Sequence, residues 1–256
     1  MYKRPRIIPC LTMQHLDLVK TVNFKNPRYI GDPINSVRIF NNKDVDELCI
    51  LDITATIEGR EPDYAFLHEI AGEAFMPLGY GGGIRTLEQA KRIFKIGYEK
   101  IILNSLLFDD PGEVEKIVDF AGSQSVVASI DYRKELFGRN TVLTHCGQDK
   151  VGISLENVLK MVMGCNVGEI LLTSIEDEGR MTGYDLKTMQ KVNGSVDVPV
   201  VLNGGAGSID DIRKALDTGA DAVAVGSFFI YYGSNKAILI NTPSEKEYLE
   251  KGIYEY

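Results

Sequence analysis

Asp131 closes the apolar run Ser125–Asp131 and is the best-placed carboxylate in the chain for proton transfer. An apolar setting penalises the ionised form, moves the pKa toward neutrality and suits a general base. Asp52 closes a similar run with Thr54 just behind it, so it reads either as a second acid–base group or as a carboxylate capping its own loop. Thr12 holds the corresponding place in the first run and has no titratable group near neutral pH. Thr173 and Ser174 end a further run and offer hydroxyls to a ligand. Glu176, Asp177 and Glu178 follow and read as a solvated loop with at most one member turned inward.

A second chemistry lies in the glycines. Gly81-Gly82-Gly83 and Gly204-Gly205-Ala206-Gly207 each follow an apolar run and precede a helix-start signal. Glycine lets backbone approach a phosphate closely, and a following helix supplies free N–H groups. Asn104-Ser105 and Gly226-Ser227 stand after the next run in each case and can complete each cradle. The expected ligand is a small molecule with a phosphate at both ends. At the opposite ends of the runs stand Arg6, Glu47, Lys100 and Glu169, two cations and two anions able to form a ring of salt bridges. On physical grounds alone that ring is a stability layer.

The elements that must position these groups are eight short apolar runs: RIIPCL, ELCILDI, MPLGY, KIILNS, SVVASID, EILLTS, VPVVLN and AVAVGS. Runs that are nearly all apolar suit parallel strands covered on both faces. Between them lie helix starts at Asp32-Pro33, Thr86 with Gln89, Asp110-Pro111 with Glu113, and Ser208 with Asp211. The Asp110 and Thr86 spacings predict capping boxes. The stretch from Gly82 repeats from Gly204 at an offset of 122 residues, and Glu47 meets Glu169 at the same offset. Self-similarity at half the chain length predicts two fused half-barrels. The expected fold is therefore α/β, a single (β/α)8 barrel over residues 1–256. Its halves are expected at about 1–122 and 123–240, with a helical tail at 241–256.

Composition agrees with this class. The 256 residues are 44% hydrophobic and 25% charged, enough for a large core. A net charge of −8 argues against nucleic acid as the main partner. No apolar run approaches the length of a membrane span, and the basic N-terminal segment lacks the apolar stretch of a secretion signal. Cys10, Cys49, Cys146 and Cys165 lie far apart and His15, His68 and His145 form no ligand spacing, so reduced thiols in a cytoplasmic protein, with no metal or cofactor, are expected.

RIIPCL, NFKNPRYIGDP, DELCILDIT, GGGIRT, Ala121–Asp131, GEILLTSI, GYD and NGGAG together resemble the cyclase subunit of imidazole glycerol phosphate synthase over residues 4–232. The resemblance implies that a glutaminase subunit docks at the barrel base and that ammonia crosses the lumen to the opposite mouth. It also implies that Arg6, Glu47, Lys100 and Glu169 are the gate, that both phosphate cradles are kept, that Asp131 is the general base and that Lys20 is the loop lysine. The family's general acid is an aspartate where this chain has Thr12. Loss of a proton donor typically costs 10²–10⁴-fold.

LVKTVNFKNPRYIGDPINSVRIFN, AGEAFMPLGYGGGIR and KAILINTPS resemble a subgroup found with surface-polysaccharide enzymes. There the barrel is held to pass ammonia to a separate ATP-dependent enzyme that converts a sugar acetamido group to an acetamidino group. Three functions follow as expectations: an ammonia-conducting subunit for sugar amidation, a working histidine-pathway cyclase, and a non-catalytic docking scaffold.

Overall fold

A computed structural model describes residues 4–135 and 139–255. Its first half runs β1 (Arg6–Gln14), β2 (Asp17–Val22), β3 (Lys25–Gly31), α1 (Pro33–Asn41), β4 (Leu48–Asp52), α2 (Tyr64–Glu73), β5 (Leu78–Gly81), α3 (Leu87–Ile96), β6 (Lys100–Leu103), α4 (Leu106–Asp109) and α5 (Pro111–Ala121). The second runs β7 (Val126–Lys134), β8 (Asn140–Thr144), β9 (Asp149–Ser154), α6 (Leu155–Gly164), β10 (Glu169–Ser174), α7 (Leu186–Val192), β11 (Val200–Asn203), α8 (Ile209–Asp217), β12 (Ala222–Val225) and α9 (Ser227–Ile230). A short hairpin of β13 (Tyr231–Tyr232) and β14 (Ala237–Ile238) precedes α10 (Glu245–Glu250).

Strands β1, β4, β5, β6, β7, β10, β11 and β12 pair in parallel in that order, and β12 returns to β1. The eight apolar runs thus close into a (β/α)8 barrel. Outward-facing Ile7, Leu11, Leu48, Ile50, Ile101 and Val223 are buried with the inner faces of the helices, including Val37, Leu67, Ile93 and Ile212. Each fully buried aliphatic side chain contributes about 1.5–3 kcal/mol, which is why the helices stay docked.

Asp32, Thr86 and Ser208 cap α1, α3 and α8 as their spacing predicts, and Thr86 with Gln89 forms a reciprocal capping box. Asp110 also caps α5, but Glu113 does not turn back to it. Glu113 instead accepts from Leu87 N at 2.7 Å and pairs with Lys116, tying α5 to the start of α3. The expected helical tail is helical only over Glu245–Glu250.

Two features lay outside the sequence reading. β1 and β7 are each nine residues long and run past the barrel rim into antiparallel hairpins, β2–β3 and β8–β9. Both hairpins stand over the mouth at the C-terminal ends of the strands. No helix of the described residues is long and apolar enough to cross a membrane.

Candidate functional site

Side chains alternate along a strand, so every second residue of the parallel strands faces the lumen. On β1 these are Arg6, Ile8, Cys10 and Thr12; on β7 they are Val127, Ser129 and Asp131. The register then stacks them in layers.

The bottom layer is the charged ring. Arg6 Nη1 lies 2.8 Å from Glu47 Oε2 and Arg6 Nη2 2.9 Å from Glu169 Oε2. Lys100 Nζ lies 3.0 Å from both Glu47 Oε2 and Glu169 Oε2. All four residues named from sequence therefore meet, each cation touching both anions. Burial alone would lower the Arg6 pKa, but hydrogen bonding and charge from Glu169 and Glu47 raise it.

Above the ring is an apolar layer of Ile8, Cys10, Cys49, Ile102, Val127, Leu171, Val201, Ala222 and Ala224, with Leu51 at its edge. Every one of the first nine is buried, so the lumen at this level is lined by apolar side chains.

The top layer opens into a cavity of about 520 Å³ whose wall includes Thr12, Lys20, Asp52, Asp131, Thr173, Glu178 and Asn203. Asp131 is fully enclosed, and burial pushes its carboxyl up to about 7, against the opposing hydrogen bonds of Thr173 and Ser129. Asn104 Nδ2 reaches its Oδ2 at 3.3 Å. A carboxyl poised near neutrality can take or give a proton at physiological pH. Thr12 also faces the cavity, but its hydroxyl donates to Val19 O on β2. Asp52 lies in the cavity wall and also caps its own loop. Its Oδ1 accepts from Thr54 N at 2.9 Å, Thr54 Oγ1 at 3.0 Å and Ala55 N at 3.0 Å.

Gly82, Gly83, Asn104 and Ser105 line the cavity as one cradle. Gly82 has φ +128°, and a Cβ there would sit 2.5 Å from Asp52 O. Gly82→Ala is expected to lower stability by about 3 kcal/mol or more, since strained backbone and a clash with main chain add. A shift in the urea midpoint with unchanged m-value measures it; a shift under about 1 kcal/mol would remove the close-approach argument.

The second cradle, Gly204, Gly205, Gly226 and Ser227, is not part of this wall; Gly226 lies against Lys20 and Gly204 near Glu178. A Cβ on Gly226 would meet Lys20 Nζ at 2.6 Å. Lys20, on β2 rather than in a loop, is buried and lies 3.2 Å from Glu178 Oε1. Thr21 Oγ1 donates to Glu178 Oε2 at 2.9 Å and Asn23 N donates to Glu178 O at 3.0 Å, which latches the hairpin down. Ser227 Oγ is buried with no hydrogen-bond partner among the described residues. An orphaned hydroxyl, glycine backbone and a nearby ammonium are a donor set that suits an anion.

Two further expectations are corrected. Ser174 is fully buried and donates to Asp177 Oδ2 at 2.6 Å, facing outward where its neighbour Thr173 faces the cavity. The acidic cluster is not a solvated loop: Glu178 is buried at the site and Asp177 pairs with Lys134 at 2.6 Å. Sequence reasoning missed Ser129 and Asn203, which strand alternation from Asp131 and the end of the β11 run would have found. It also missed His145 and Cys146, carried into the cavity wall by the β8–β9 hairpin.

The family model for histidine biosynthesis proteins matches residues 6–236. A Leptospira interrogans protein provisionally named imidazole glycerol phosphate synthase subunit HisF is 48% identical over 246 residues, covering 95% of this chain and 97% of its own length. A Pseudomonas aeruginosa protein with the provisional name hisF2 is 45% identical, covering 94% and 96%. The imidazole glycerol phosphate synthase subunit HisF of Endomicrobium trichonymphae is 38% identical, covering 88% and 87%. With its closed barrel, its four-membered charged ring and a neutral-range carboxyl at the mouth, this chain belongs to the HisF family of imidazole glycerol phosphate synthase cyclase subunits.

Proposed function

We propose that the chain is the ammonia-accepting barrel of a glutamine-dependent amidotransferase acting in sugar amidation. A glutaminase subunit docks on the base and opens the ring of Arg6, Glu47, Lys100 and Glu169. Neutral ammonia then crosses the apolar layer, which excludes ammonium because burying an unpaired ion is costly. It reaches the mouth beside Asp131 and Lys20, from which a separate ATP-dependent enzyme takes it to turn an acetamido group into an acetamidino group. The observation that carries this reading is a complete ring beneath a mouth whose Thr12 hydroxyl is committed to Val19 O. Conduction keeps what it needs while cyclisation lacks its proton donor. The relatives that carry only a provisional HisF-type name, at 44% to 48% identity against 38% for one named HisF without that qualification, fit a copy of this kind.

The ring supplies the test. In the complex with a glutaminase subunit, Lys100→Met leaves Glu47 and Glu169 to share Arg6 alone. Glutamine-driven transfer is expected to fall at least about tenfold, equivalent to about 1.4 kcal/mol, while transfer from added ammonium is unchanged. Equal loss of both activities would overturn the gate.

The neutral-range Asp131 carboxyl favours a second reading, an active histidine-pathway cyclase using another proton donor. Turnover of that pathway's substrate by the native chain separates the two.

A further inference from the structure

Cys10 and Cys49 occupy matched positions on β1 and β4. Neighbouring strands lie about 4.8 Å apart, inside the Cα separation that a disulfide spans. Their sulfurs are 3.9 Å apart, and both are free thiols. The pair sits in the apolar layer, two residues above the ring members Glu47 on β4 and four above Arg6 on β1. Both are buried, and Cys10 but not Cys49 belongs to the cavity wall, so a small molecule in the mouth meets Cys10 first. Neither thiol has a role in the proton chemistry or the phosphate cradles. The sulfur on the cavity side, that of Cys10, is therefore the attacking one and that of Cys49 the resolving one.

We propose that Cys10 and Cys49 form an oxidisable dithiol in the throat of the barrel, taking a small hydroperoxide as its oxidant. The Cys10 sulfur attacks the peroxide oxygen: an S–O bond forms, the O–O bond breaks, and the alkoxide leaves as alcohol with the Cys10 proton. The Cys49 sulfur then attacks the sulfenic sulfur. An S–S bond forms, the S–O bond breaks, and hydroxide leaves as water with the Cys49 proton. Two thiols are oxidised by two electrons and one hydroperoxide is reduced to alcohol and water. Ammonia crossing the lumen passes among the side chains of this apolar layer, and a bridge between β1 and β4 fixes two of them. That consequence rests on the amidotransferase reading; the thiol chemistry does not.

The test treats the folded full-length chain with hydrogen peroxide, followed by thiol titration and peptide mass mapping. The expected result is loss of two thiols, a mass decrease of about 2 Da confined to a linked pair of peptides holding Cys10 and Cys49, and full return on addition of a dithiol reductant. A Cys146→Ser/Cys165→Ser chain leaves the pair as the only thiols and reads the same loss directly; should it fail to fold, mapping of the native chain decides alone. The site is overturned if Cys10 goes to sulfinic acid with Cys49 still free. It is equally overturned if the folded thiols survive peroxide that oxidises the urea-unfolded chain. In the glutaminase complex, bridging is expected to abolish glutamine-driven transfer and spare transfer from ammonium, and an unchanged ratio overturns the throat's control of passage. Absence of any glutamine-driven transfer in the reduced complex would sink the amidotransferase reading instead, leaving the dithiol to its own assay.

Discussion

Thr12→Asp is expected to raise ammonium-driven cyclisation of the histidine-pathway substrate by about 10²–10⁴-fold over the native chain, whose own rate should lie near background. Thr12 faces the same cavity as Asp131 and Lys20, so a carboxyl there joins the base that remains. The native hydroxyl keeps its proton far above neutral pH and spends it on Val19 O. Adding Asp131→Asn to the aspartate variant should return turnover to background, since the second proton-transfer group is then gone. Discontinuous assay of imidazole glycerol phosphate at saturating ammonium gives both numbers. Fast native turnover that the substitution does not improve would show that another group already serves as acid, and the amidation reading would lose its main support.

Asp131 carries the second large effect, on stability. Its carboxyl is held at about 7 in the folded chain, while an unfolded aspartate titrates near 3.9. The folded state therefore favours the neutral acid. Its contribution is fully present below about pH 4 and is lost as pH rises to about 7, because across that window the unfolded chain has released a proton that the folded chain still holds. The slope is about 1.4 kcal/mol per pH unit, a total on the order of 4 kcal/mol. Asp131→Asn removes that dependence at the expense of altered hydrogen bonds to Asn104 and Ser129, about 1 kcal/mol. The variant should be more stable than the native chain by about 3 kcal/mol at pH 8 and lose that advantage by pH 4. Urea midpoints at the two pH values, with equal m-values, measure it. An advantage independent of pH would mean that Asp131 titrates normally.

The barrel was legible because its signals are local. Each apolar run is buried by its own composition, and Asp32, Thr86 and Ser208 cap the helices they immediately precede. The ring was legible for a related reason: strand starts lie on one level in a closed barrel. The hairpins over the mouth were not, because β3 is almost wholly exposed and has no apolar run to announce it. What holds it is pairing to β2 and, through Asn23 and Thr21, contact with the loop after β10. The cation beside the second cradle was hidden for the same cause: glycine spacing marks the cradle, but Lys20 reaches Gly226 from far along the chain and is paired there with Glu178. Asp52 shows the converse: its role turned on Thr54 and Ala55, which only the folded loop brings to its oxygen.

β1 joins the base to the lid in one piece. It carries Arg6 at one end and turns at the other into β2, where Lys20 sits. A hydrogen-bonded strand is stiff along its length, so it behaves as a lever with the barrel wall as fulcrum. If a glutaminase subunit docks on the ring as proposed, its pull on Arg6 would be carried along β1 to the Lys20–Glu178 pair, and an anion that freed Lys20 would act back on Arg6. Such linkage is reciprocal in binding free energy: whichever end is occupied first lightens the work at the other.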